Sequence, residues 1–63
     1  MTFDDAVELV KGWPKDRAVP RKLKAGIAAA KGLDRELMGQ LVESLTVSAE
    51  SKADFELIET YFD

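Results

Sequence analysis

The chain predicts an all-α fold, a small antiparallel bundle of four short helices, with three helices as the fallback. Apolar residues recur at helical spacing in four stretches, and no window alternates apolar and polar residues long enough to argue for a strand. Three breaks rich in glycine, proline or serine separate the stretches, and connections this short favour antiparallel neighbours.

The first helix is expected from about Phe3 to Lys11. Thr2 is a good N-cap, and Asp5 three residues on completes a variant of the capping box. The apolar face is Phe3, Ala6, Val7 and Val10, widened by Leu9 and Trp13. Gly12-Trp13-Pro14 ends it, because proline cannot continue a helix. The second helix is expected to start with Pro20 at its first position, where the missing N–H costs nothing. Leu23, Ile27 and Ala30 form its buried stripe, and Arg21, Lys22, Lys24 and Lys31 face away. Gly26 weakens this helix by up to ~1 kcal/mol relative to alanine, which points to close packing there.

In Gly32-Leu33-Asp34 the glycine reads as a helix C-cap and the aspartate as the next N-cap. The third helix then runs from about Arg35 to Thr46. It buries Leu37, Met38, Leu41, Val42 and Leu45, a stripe wide enough for a helix flanked on both sides. The last break, Val47-Ser48, rests on a serine cap alone. The fourth helix, about Ala49 to Phe62, carries Phe55, Leu57, Ile58, Tyr61 and Phe62 over more than one face, so part of this aromatic surface is expected to stay exposed. Val19 with Lys24-Ala25 recurs as Val47 with Lys52-Ala53, and Ile27 then aligns with Phe55. Helical periodicity alone generates matches at this level.

Sixty-three residues allow one helical domain, residues 1–63. A core this small supplies roughly 3–5 kcal/mol, and a second copy is one way to add burial. The chain has neither cysteine nor histidine, which removes disulfides, thiolates, the usual zinc ligand and the usual general base near neutral pH. No phosphate-cradling glycine loop or paired metal-ligand spacing is present, so the expectation is a non-enzyme with no cofactor and no metal site. No apolar run approaches the ~20 residues needed to span a bilayer. The acidic start Met1-Thr2-Phe3-Asp4-Asp5 is unlike a signal peptide, and a cytoplasmic protein without a membrane partner is expected.

The net charge of −3 hides a charge split. Residues 11–31 hold Lys11, Lys15, Arg17, Arg21, Lys22, Lys24 and Lys31 against Asp16 alone, a local charge of +6. Residues 36–63 hold Glu36, Glu43, Glu50, Asp54, Glu56, Glu59 and Asp63 against Lys52, a local charge of −6. Two binding surfaces follow as candidates. Phe55, Glu59, Tyr61 and Phe62 combine aromatic anchors with an acidic rim, the anatomy of a protein-protein contact. Lys15, Arg17, Arg21, Lys22 and Lys24, with Lys11 and Trp13 beside them, combine cations with an aromatic, the ingredients of an anion or nucleic-acid surface. The pI near 4.8 weighs against nucleic acid, whose binders usually exceed a pI of about 9. The expected function is therefore a protein-protein interaction module, a small adaptor, subunit or inhibitor. The alternative is a nucleic-acid-binding domain using residues 11–24, and a homodimer pairing the two halves is a third reading.

Val19-Pro20-Arg21, Leu23-Lys24 and Ala30-Lys31 together resemble part of an uncharacterised archaeal family of short helical proteins. Its members carry a Val-Pro-Arg helix start and a basic, alanine-rich turn ending in Ala-Lys. The resemblance covers about thirteen residues. It departs at Gly26 and Ile27, where the family tends to have alanines, and at Val47-Ser48, where the family has a second proline-containing turn. The resemblance implies a four-helix bundle and carries over no activity.

Overall fold

The first and last helices begin where a side chain supplies partners for free N–H groups, and the two middle helices begin without a side-chain cap. The computed structural model describes residues 1–62, and all regular structure in them is helical. Asp63, counted above in the acidic half, lies outside the described residues. The order is α1 (Phe3–Val10), α2 (Val19–Ala29), α3 (Gly32–Ser48) and α4 (Lys52–Phe62).

At α1 the capping box forms as expected. Thr2 Oγ1 accepts from the Asp5 N–H at 3.3 Å, and Asp5 Oδ2 accepts from the Thr2 N–H at 3.1 Å. The Thr2 N–H, and then the Thr2 side chain, favour the ionised carboxylate and hold the Asp5 pKa below its ordinary value. Between α1 and α2 the chain turns through residues 11–18, where the Asp16 N–H donates to the Gly12 carbonyl at 2.8 Å. The Trp13–Pro14 peptide bond is cis. Helix α2 starts one residue earlier than expected, so Pro20 is its second residue and is buried.

The two later boundaries correct the sequence reading. Gly32 takes a left-handed φ of 61°, as a chain-reversing glycine should, but it opens α3 instead of closing α2. Ala30 is the C-cap of α2, and Asp34 sits in the first turn of α3 without capping it. At the other end α3 continues through Val47 and Ser48, and Ser51 is the cap of α4. Ser51 Oγ accepts from the Asp54 N–H at 3.3 Å, and Asp54 Oδ2 accepts from the Ser51 N–H at 3.2 Å, a second capping box. Val19 is sealed in the core while Val47 is 85% exposed, so the apparent repeat does not place its members equivalently.

Ala6, Val19, Leu23, Met38 and Leu45 are fully buried, with Trp13 and Ile58 nearly so. All four helices and the first connection thus contribute to one core. Gly26 faces it. A β-carbon there would stand 2.6 Å from Met1 Sδ and 3.1 Å from Met38 Cε, so two methionine side chains occupy the space the glycine leaves. The Cα radius of gyration is 10.7 Å, against about 10.6 Å for a compact chain of this length. The accessible surface is 4193 Å², close to the roughly 4,000 Å² expected of a monomer of this mass. No helix of the described residues is long and apolar enough to cross a membrane.

Candidate functional site

Arg17 and Asp54 show how the charged halves meet. Arg17 comes from the α1–α2 connection, and its Nη1 donates to Asp54 Oδ1 and to the Pro14 carbonyl, the latter at 3.2 Å. Its guanidinium also lies 5.1 Å from the centroid of the Trp13 ring. Asp54 is only 4% exposed, and its second oxygen accepts from the backbone N–H groups of Glu50 at 2.8 Å and Ser51 at 3.2 Å. The Arg17 guanidinium, then these two N–H groups, hold the Asp54 carboxyl below its ordinary pKa against the opposing effect of burial. Among the described residues this is the one ion pair joining the basic and acidic halves. Lys11–Glu8 at 3.0 Å and Lys52–Glu56 at 4.0 Å are local pairs within a helical turn.

Arg17 is thus committed to holding the fold. Of the other candidate anion ligands, Lys15 is exposed in the connection, and Arg21, Lys22 and Lys24 are exposed on α2. None of the four makes an ion pair among the described residues. Trp13 closes the core, with its Nε1–H donating to the Leu45 carbonyl at 2.9 Å, and offers no free face for stacking a base.

The C-terminal aromatic set divides. Glu59 and Phe62 share a shallow depression of about 210 Å³ with Val42, Thr46 and Ile58. Phe55 is 43% exposed and Tyr61 is half-buried, and neither lines that depression. At 3.6 residues per turn Tyr61 stands about 120° around α4 from Phe55.

A larger open groove, about 470 Å³, lies along α3. Phe3 of α1 lines it with Leu37, Leu41 and Val47, and Gln40, Glu43 and Ser44 supply its polar groups. Sequence reading missed this surface because it placed Leu33 and Val47 in turns. Once α3 runs from Gly32 to Ser48, Leu33, Leu37, Gln40, Ser44 and Val47 fall at alternating spacings of four and three along one helix face. Leu33 is 67% and Val47 85% exposed, the two most exposed large apolar side chains among the described residues. The breadth of the α3 stripe was the available signal: Met38 and Leu45 face the core, while Leu37 continues onto this open face. No protein-family model, curated protein or solved structure matches the chain, so its function has to be argued from these surfaces.

Proposed function

We propose that this protein is a non-enzymatic interaction module, an adaptor, subunit or inhibitor that acts in a cytoplasmic setting by binding another protein through the open face of α3. The carrying observation is the alignment of Leu33 and Val47 at the two ends of one stripe, with the Phe3–Leu37–Leu41 groove along it. Single exposed apolar residues are ordinary on a soluble surface, but apolar side chains at both ends of one helix face, beside a groove and with Gln40 and Ser44 between them, have the form of a docking face. The depression at Glu59 and Phe62 is a secondary contact in this reading.

The test compares capture from nuclease-treated host lysate by the full chain and by Leu33→Glu/Val47→Lys. An acid at the helix start and a base at its end both suit the helix dipole, and together they leave the net charge at −3. Proteins held by the native chain and lost by an equally folded double variant support the proposal. Equal retention by both overturns it.

A second reading, nucleic-acid binding, draws on Lys15, Arg21, Lys22 and Lys24, because α2 contains no acidic residue to offset its cations. It expects a mobility shift that collapses with salt and is abolished by Arg21→Glu/Lys22→Glu. No shift at low salt with either DNA or RNA ends that reading.

A further inference from the structure

We infer that the segment docked on α3 is an amphipathic helix carrying basic residues along one edge. The inference rests on the interaction reading above and names the partner's chemistry. Its first support is backbone chemistry. The groove is walled by helices, which pair most of their backbone groups internally, and the described residues contain no strand edge. An extended peptide would meet only the side chains of Gln40, Ser44 and their neighbours as hydrogen-bond partners. A helix brings its backbone bonds with it and lays an apolar face into such a groove.

Dimensions agree. Leu33 and Val47 are separated by about 21 Å along the axis at 1.5 Å per residue, four turns of a partner helix. Anchors on that partner at i, i+4, i+7 and i+11 would match the stripe they meet.

Charge chooses the edge. Glu36 and Glu43 are seven residues apart, so they stand nearly one above the other along one side of the stripe. Both are exposed, and neither has an ion-pair partner among the described residues. The sole cation of α3, Arg35, projects from the far side of the helix by the same geometry. A partner helix therefore meets acids along that edge, and lysine or arginine there complements them. A second copy fits poorly. Pairing two α3 faces antiparallel about a two-fold axis would set the acidic edges of both copies side by side.

The test pans a display library of linear peptides, randomised at every position, against three forms of the full chain: native, Leu33→Glu/Val47→Lys, and Glu36→Lys/Glu43→Lys. The native chain is expected to enrich peptides with helically spaced apolar anchors and Lys or Arg on one flank. Leu33→Glu/Val47→Lys should lose them, and Glu36→Lys/Glu43→Lys should bind them about tenfold more weakly while enriching acid-flanked peptides instead. Enrichment of extended or acid-flanked sequences by the native chain overturns the inference. So does α3-dependent dimerisation in sedimentation equilibrium, which would make a second copy the occupant. Lysate capture that depends on α3, combined with no charge preference in the library, removes the basic helix but leaves the interaction reading standing. Capture that ignores α3 removes both.

Discussion

The Arg17 guanidinium holds the Asp54 carboxylate across 37 positions of chain, tying the first connection to the start of α4. Asp54 also accepts from the N–H groups of Glu50 and Ser51, so one buried carboxylate both caps a helix and anchors a remote arginine. Removing either partner of such a pair leaves a charge with too few partners, which is why it costs more than the pair contributes.

Acid should therefore weaken the fold at a defined point. Because the folded-state pKa of Asp54 lies below its ordinary 3.8, its stabilisation is complete above that value and is lost as pH falls through the lower one. Asp5 acts in the same direction. Urea unfolding at about pH 7, 4 and 3 should show stability falling in the acid step, and the fall should be shallower in Asp54→Asn. An unchanged slope would assign the acid sensitivity to other carboxylates.

Trp13 completes α3. The Leu45 carbonyl is among the last four of that helix, and the Ala49 N–H that would serve it bonds instead to Thr46 at 3.3 Å. The indole N–H takes its place. Trp13→Phe keeps a ring but orphans a buried carbonyl, and should cost about 1–3 kcal/mol by denaturant unfolding. A loss comparable to a surface substitution would mean that water satisfies the carbonyl.

Two serines offer a direct comparison. Ser51→Ala removes the α4 cap and should destabilise by about 1 kcal/mol, whereas Ser48→Ala, exposed inside α3, should be nearly neutral. The reverse order would move the start of α4 back to Ser48.

Gly32 isolates a backbone effect. A β-carbon there meets nothing within 4 Å, so Gly32→Ala changes only the cost of a φ of 61°. The expected loss is about 1 kcal/mol. A gain in thermal stability would show that the left-handed turn is dispensable.

The boundaries differed in how much of their chemistry was local. Thr2 with Asp5 was legible because both partners of the box sit within four residues. Ser51 with Asp54 follows the same rule and was as legible, since Ser48, which the sequence reading took as the cap, has no acid three residues on. At Gly32 a positive φ could be anticipated, but not the helix to which the residue belongs. Leu33 and Val47 were lost with those boundaries. A wide apolar stripe reads the same whether a neighbour covers all of it or stops partway, and coverage is a property of tertiary packing. The aromatic residues of α4 illustrate the converse. Phe62 packs against the core and Phe55 does not, a distinction that spacing alone could not draw.

The position of the indole has an optical consequence. The chain has one tryptophan, and its ring touches the end of α3 directly and α4 through Arg17. Fraying of either helix would admit water to this single chromophore and shift its emission to the red. Fluorescence and far-ultraviolet circular dichroism should then trace one coincident melting curve, as a cooperative unit requires. A docking helix on the outer face of α3 would leave that emission unmoved, so one wavelength separates binding from unfolding.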